Sequence, residues 1–590
     1  MIRKMLRKIN IKNANFFVEP DEIFLDSKNI QNFDQQQFEG RIEKPISKRN
    51  ALFLGIFFLF FVVTFTGRLG YLQIKKGEAY FTRSENNTLN KSIIFADRGI
   101  IYDRNRVEIA WNNKASLVPV LDKNKETSLE NSTTEQTEKK EEVNFGTRAY
   151  MSPGFSHLLG YVSSPTQDKT GKYWQTEFIG KDGLEKQYSD QIKGQNGAKI
   201  IETDVHGVIH SENIVNAPQR GKDLVTTIDS RIQKELFKLI KNLAESKSFS
   251  GGAGVIMDIH TGEVLTSTSF PEYDSAVLSL GKDNTLIKGY LSDKRKVFMD
   301  RTISGLYTPG SIVKPFFALA ALKEGIISPE KQILSTGSIS IPNPYFKDQK
   351  TVFKDWRAHG WTDMREAIAV SSDVYFYSIG GGFEGQKGLG IANIEKYSRI
   401  FGIGTATGVD LPDEKEGTIP SPEWKLKNFK NDPWRIGDTY HTSIGQYGFQ
   451  VTPFEMVRAT SALANYGTLV TPHFILGDKT KEDIKIKIED FPKEYYDIIH
   501  EGMRMTVTEG IASNLNVPYV KIAAKTGTAQ LGVSKNKVNS WIVGFFPYEN
   551  PKYAFTIMME AGPSSNGFGA AYIMQGLIDW MHINTPEYFK

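Results

Sequence analysis

Apolar and polar positions divide the chain into stretches of different character. Ala51–Gly67 is an uncharged, almost wholly apolar run; Arg68 interrupts it and Leu69–Ile74 extends it. About 20 apolar residues cross the hydrocarbon of a bilayer. The run therefore predicts a single transmembrane signal-anchor over 51–73, with the Arg68 head reaching toward an interface. Ten Lys or Arg residues precede it, including Lys48 and Arg49 at its edge. That excess of cations predicts a cytoplasmic N-terminus (1–50), with everything after the anchor outside the cell membrane. The apolar run begins only at Ala51 and no small-residue cleavage site follows it, which argues against a removed signal peptide. The first dozen residues, rich in Lys and Arg, read either as a short basic amphipathic helix on the inner leaflet or as a solvated tail.

Residues 74–220 mix short strand-like runs with Gly-rich turns, and within them Asp122–Asn144 is charged and nearly devoid of apolar side chains. Such a segment cannot bury enough surface to order itself, so 122–144 is expected to be a flexible loop. From Gly221 to Lys590 the pattern tightens. Ala253–Asp258, a His260-Thr261-Gly262 turn and Glu263–Ser269 predict a β-hairpin. Ser540–Phe546 and Tyr553–Glu560 predict a second hairpin, with Val520–Gly527 a strand just before it and Ala570–Met581 a closing helix. Strands at both ends with helical runs between them predict an α+β domain, an antiparallel sheet flanked by helices.

Composition changes this picture little. The 590 residues carry a net charge of +4, small and spread out, which argues against a dedicated nucleic-acid binder. There is no cysteine, which excludes disulfide frameworks and thiolate metal sites.

The chemistry is concentrated in three short motifs. Ser311-Ile312-Val313-Lys314 follows Pro309-Gly310 and opens an apolar, helix-like run through Leu322. Serine needs an adjacent base to act as a nucleophile. On a helix, positions i and i+3 share a face, so Ser311 and Lys314 lie side by side. A helix N-terminus favours the developing negative charge, and burial by Phe316, Phe317 and Leu319 makes a lysine a usable base. The same spacing recurs at Ser279/Lys282, Ser328/Lys331 and Ser534/Lys537 in polar or turn-like surroundings, so the spacing alone is a weak signal. Ser371-Ser372-Asp373 follows a helical run. A second hydroxyl near Lys314 can relay a proton and Asp373 can fix the amine, although Ser and Asp are also ordinary helix caps. Lys525-Thr526-Gly527-Thr528 lies on a strand, where Lys525 and the threonine hydroxyls can hold a carboxylate and Gly527 admits a close backbone. It is the three motifs in this order that carry the signal.

With them the chain resembles the class B penicillin-binding proteins, monofunctional peptidoglycan transpeptidases with a serine β-lactamase-like catalytic domain. It is most similar to their penicillin-binding protein 2, or elongation, branch. The resemblance extends to Leu72-Gln73-Ile74, the Asp97–Asn105 anchor signature, Gly183-Leu184-Glu185, Glu202, Gly207, Thr227-Ile228-Asp229, Ser443-Ile444-Gly445-Gln446 and Val451-Thr452-Pro453. It implies an elongated β-rich pedestal over 74–220 and a transpeptidase domain over 221–590. Asp373, where division-type relatives carry Asn, favours the elongation branch.

Carried over, Ser311 is the acyl-ester nucleophile, Lys314 its base, Ser371 the relay and Asp373 the residue positioning the amine. Lys525, Thr526 and Thr528 recognise the terminal carboxylate of a D-Ala-D-Ala stem peptide, and the backbone N–H groups of Ser311 and Thr528 form the oxyanion hole. β-Lactams acylate the same serine, and the family needs no metal or organic cofactor. Two departures stand out: the pedestal between Asn105 and His157 is short, and Arg106 stands where the signature carries Gly. The stretch 75–220 is too short for a glycosyltransferase, so glycan polymerisation falls to a partner, by resemblance a SEDS-type glycosyltransferase within an elongation complex.

The alternatives are a division-type transpeptidase, a D,D-carboxypeptidase or β-lactamase-like hydrolase that passes the acyl group to water, and a membrane-anchored β-lactam sensor or non-catalytic scaffold. The tail before the anchor is short for a signalling domain, and the intact motif set counts against a dead scaffold.

Overall fold

The computed structural model describes residues 47–81, 89–113, 146–169, 173–203, 209–482 and 484–590, apart from 344, 347, 489 and 490. The polar tail over 1–46 and the expected loop at 122–144 lie outside the described residues.

The chain forms two compact units. The first carries helix α1 (Lys48–Gly70), which runs on through a π-helical turn at Tyr71–Lys75. It is long and apolar enough to cross a membrane, and none of its residues is buried by protein. The helix starts three residues before the apolar run because the Ser47 hydroxyl accepts the Asn50 N–H at 3.2 Å. Inside the run, the Thr64 and Thr66 hydroxyls donate to Phe60 O and Val62 O, each at 2.7 Å. This satisfies both groups without water.

The second unit holds a five-stranded antiparallel sheet made of β1 (Gly251–Asp258), β2 (Val264–Phe270), β3 (Ala523–Leu531), β4 (Lys537–Phe546) and β5 (Tyr553–Pro563). Its spatial order is β2-β1-β5-β4-β3. Both predicted hairpins are present; β1 pairs with β2 from Gly252↔Phe270 to Met257↔Val264. The strand that carries the Lys525 motif begins later and runs further than the sequence reading, because pairing with β4 continues to Leu531↔Lys537.

Side chains alternate between the two faces of a strand, and here both faces are covered. Ile256, Leu265, Ile542 and Ile557 pack under Ile232, Leu236 and Ile240 of helix α2 (Ser230–Lys247) and Ile573 and Leu577 of helix α6 (Ala570–Asn584). Val255, Met257, Val543 and Phe545 face the other way, into a core with Phe316, Phe317 and Leu319 of helix α3 (Lys314–Lys323). The central helices that bear the second motif, α4 (Met364–Ala369) and α5 (Asp373–Gly381), join the same core.

The motifs of the expected pedestal meet at buried charges. Glu185 accepts from Arg98 Nε at 2.5 Å and from Arg148 Nε at 2.7 Å, all three side chains being nearly or fully buried. Burial alone raises a carboxyl pKa, but the two guanidiniums outweigh it and hold Glu185 below its ordinary value. Nearby, Asp103 Oδ1 accepts the N–H groups of Asn105 and Val107, each at 2.8 Å, and Oδ2 accepts that of Ser230 at 3.2 Å, the first residue of α2. The anchor signature is thereby docked on a helix N-terminus, where a carboxylate is favoured. Arg106 sits at φ 63°. This is the left-handed region glycine enters freely, so arginine there costs on the order of 1 kcal/mol.

Candidate active site

The site grows from a turn, not from a regular helix. Gly310–Val313 is a 3₁₀ segment, and the Lys314 N–H donates to Ser311 O before α3 begins. With three residues per turn, i and i+3 share a face, which sets Ser311 and Lys314 on the same side of the turn. Gly310 is at φ 60° and donates its N–H to Gly445 O at 3.0 Å. A Cβ on Gly445 would lie 2.2 Å from Gly310 O, so side chains are shut out of this contact. Trp541 Nε1 donates to Thr308 O at 3.0 Å, tying the same turn to β4.

Lys314 is completely buried. Its Nζ donates to Asp373 Oδ1 at 2.6 Å, to Ser371 O at 2.9 Å and to Ser371 Oγ at 3.3 Å, and it lies 5.3 Å from the centre of the Phe376 ring. The first two motifs therefore converge on one amine across 59 residues of chain. Ser371 occupies the left-handed region at φ 58° between α4 and α5, and the helix cap is its neighbour Ser372, whose hydroxyl accepts the Tyr375 N–H at 3.3 Å.

The third motif lies on edge strand β3. Lys525 is fully buried and Nζ donates to the Thr526 carbonyl at 3.0 Å. Burial, and then the charge of Lys314, push its pKa well below the ordinary lysine value, with Asp373 opposing them. Gly527 faces the Ser311 turn: a Cβ there would come within 2.7 Å of Pro309 O and 2.9 Å of Ile312 Cγ2. Thr526 is half-buried and Thr528 is exposed, both on the face opposite Lys525 and Gly527 by strand alternation. Thr528 O lies 3.2 Å from where a Gly310 Cβ would be, so the third motif abuts the serine turn. By contrast, Ser279 donates to Tyr150 Oη at 3.3 Å, in the pedestal contact and away from these groups.

Sequence reasoning missed Asp355, whose carboxylate accepts from the Ser372 hydroxyl and the Val374 N–H, each at 3.0 Å. No repeated spacing in the sequence points to it, and only the fold brings it to the second motif.

Hydroxyls and a carboxylate gathered about a buried lysine, beside an edge strand, are the groups a serine acyltransferase needs. Residues 252–578 match the penicillin binding protein transpeptidase domain, and residues 145–226 match the penicillin-binding protein dimerisation domain. The chain belongs to the penicillin-binding transpeptidase family and is a serine-type D,D-transpeptidase with an α+β catalytic fold. Among characterised relatives it is similar to the peptidoglycan D,D-transpeptidase MrdA of Acinetobacter baumannii, 28% identical over 616 residues, covering 91% of this chain and 88% of that one. Among solved structures it is similar to a complex between penicillin-binding protein 2 and MreC from Helicobacter pylori, with 27% identity, TM-score 0.67, and 84% and 99% of the two chains covered. It is also similar to Pseudomonas aeruginosa penicillin-binding protein 2 in complex with WCK 5153, with 28% identity, TM-score 0.64, and 85% and 98% covered. These likenesses set it in the penicillin-binding protein 2 branch.

Proposed function

We propose that the chain cross-links peptidoglycan during cell elongation, through an acyl-enzyme on Ser311. The carrying observation is the convergence of Ser371 and Asp373 on Lys314 Nζ, one 3₁₀ turn after Ser311. Lys314 takes the Ser311 proton as Oγ attacks the carbonyl of the penultimate D-Ala. The tetrahedral oxyanion is met by the N–H groups of Ser311 and Thr528, a kind of contact worth about 3–4 kcal/mol. Ser371 relays the proton to the leaving D-Ala amine, while Asp373 holds Lys314 in place. The terminal carboxylate lies along the edge of β3, bonded by Thr526 and Thr528 from one face and drawn by the Lys525 charge from the other, with Gly527 letting the substrate approach. An amine from a neighbouring stem peptide then attacks the ester, and its lost proton returns through Lys314 to Ser311. β-Lactams acylate the same hydroxyl and stop there.

The arrangement is a tail 1–50, an anchor 51–73, a pedestal 74–220 and a catalytic region 221–590; the matches over 145–226 and 252–578 support the last two of these. In this reading the N-terminus is cytoplasmic and the catalytic unit faces the wall, as the cation excess before α1 suggests. Partners are a SEDS-type glycosyltransferase, which supplies the glycan, and elongation-complex proteins. The MreC complex of the Helicobacter pylori relative supports the second class.

Incubation with a fluorescent penicillin, followed by peptide mapping, tests the assignment. Stable label on Ser311 is expected, lost in Ser311→Ala and kept in Ser328→Ala and Ser534→Ala. Label on another residue would overturn it. Product analysis with a donor peptide and an acceptor amine separates transfer from hydrolysis, and depletion separates elongation (rounding) from division (filamentation).

A further inference from the structure

We infer that Asp355 is a positioning residue for acyl transfer: its carboxylate holds the Val370–Val374 turn that presents Ser371 and Asp373 to Lys314. The inference rests on the function proposed above.

The Asp355 side chain is fully buried, and four donors converge on it. Oδ2 accepts from the hydroxyls of Ser372 at 3.0 Å and Ser335 at 3.3 Å, and from the Val374 N–H at 3.0 Å. Oδ1 accepts the Trp356 N–H at 2.8 Å and lies 3.4 Å from His359 Nε2. The next residue reinforces the clamp, since Trp356 Nε1 donates to Val370 O at 3.2 Å. Asp355 and Trp356 thus grip residues 370, 372 and 374 from one side. Lys314 binds the alternate residues, 371 and 373, from the other.

This alternation is what gives the carboxylate a role in the chemistry. A non-glycine residue in the left-handed region persists only where its surroundings over-determine it. Ser371 sits there, at φ 58°, between the two grips. Its carbonyl and hydroxyl reach Lys314 Nζ only in that conformation, because rotation about its backbone would swing both away from the amine. Released from Asp355, Ser372 would lose the partner of its hydroxyl and α5 the acceptor for its Val374 N–H. Ser371 could then relax to an ordinary backbone conformation.

His359 completes the outer side. Burial pushes its pKa below the ordinary value, with Asp355 opposing this and Arg357 adding to it. Arg357 Nε donates to Nδ1 at 3.4 Å. The imidazole is therefore neutral at neutral pH, and its Nε2 lies near Asp355 without a hydrogen bond to it.

The test measures acylation of the full-length, detergent-solubilised protein by a fluorescent penicillin across concentration and pH. The limiting rate is read separately from the concentration at half-saturation. Asp355→Ala is expected to lower the limiting rate by about 10²-fold, the scale of a small misplacement of catalytic groups, with half-saturation little changed. The pH at which the rate is half-maximal should move, since the relay is displaced from Lys314. Asp355→Asn, which keeps one acceptor oxygen, should recover much of the rate. Adding Ser372→Ala to Asp355→Ala should cost no more than Asp355→Ala alone, as two members of one clamp would.

Arg148→Met, in the distant pedestal cluster, serves as the stability control: it should lower the melting temperature without changing the limiting rate. Should Asp355→Ala fail to fold, the Asn variant and Ser372→Ala carry the same test. An unchanged rate and pH profile in folded Asp355 variants would overturn the inference. So would a loss that Arg148→Met reproduces at matched melting temperature. Absence of Ser311 label on the wild-type protein would instead overturn the function on which the inference rests.

Discussion

Two regions of this molecule each gather two cations around one carboxylate, and hold them differently. At the pedestal, Arg98 and Arg148 each reach a separate oxygen of Glu185, at 2.5 and 2.7 Å. In the cleft, Lys314 takes Asp373 at 2.6 Å, and Lys525, equally buried, is left with a backbone carbonyl. Arginine does not give up its proton in proteins, so the first set is locked in one charge state. Burial lowers the pKa of Lys525, so the second set holds a cation that can release its proton. A shifted pKa is present in both regions; reactive chemistry needs in addition a proton that can leave and a bonding site not already taken. That contrast separates a structural ion cluster from the one proposed to be catalytic.

The sharpest way to break the comparison is to remove the cleft amine. Lys314→Met keeps the buried volume but leaves Asp373 without its cation, so it should be less stable than wild type and, in the protein that remains folded, should lose acylation by at least about 10³-fold, the scale seen when a nucleophile loses its base. Labelling of this variant by a fluorescent penicillin at near wild-type rate would remove the lysine from the mechanism.

The pedestal cluster should answer in stability only. Glu185→Ala leaves two buried guanidiniums unpaired and should cost about 3–5 kcal/mol. Denaturant unfolding should show that loss, while the acylation rate of the protein that remains folded stays at the wild-type value. A rate loss without a stability loss would merge the two regions into one functional unit.

Lys525→Met gives the smallest change and the finest distinction. The native pKa of Lys525 lies below its ordinary value of 10.5. Between those two values the unfolded chain binds more protons than the native one, so stability rises with pH across that window. Wild-type melting temperature should therefore rise from pH 7 toward pH 9, and the Met variant should lose this slope. At pH 7 the variant should be more stable by about 1 kcal/mol, at the expense of activity, as substitutions at strained active sites tend to be. A variant less stable than wild type at pH 7 would show that Lys525 is held by bonds strong enough to offset its burial.

The sequence by itself determined what depends on near neighbours along the chain. The apolar run of α1, both hairpins of the sheet and the closing helix are written in local periodicity, and each forms where that periodicity lies. The order of the three motifs is what marks Ser311 as the proposed nucleophile among four serines with the same spacing to a lysine. Tertiary structure decided the rest. The Ser311 turn is 3₁₀ where the local pattern predicts α, and it is held by Gly445, which comes against Gly310 from over a hundred residues away. That Lys314 is not merely buried but paired follows from α5 packing against α3, which delivers Asp373 to it. Asp355 had no local signature at all, since a carboxylate in a polar loop looks solvated until the fold closes over it. Local periodicity is set by backbone geometry over a few residues. Which distant side chains meet is set by how whole faces pack, and that information is spread over every residue of the core.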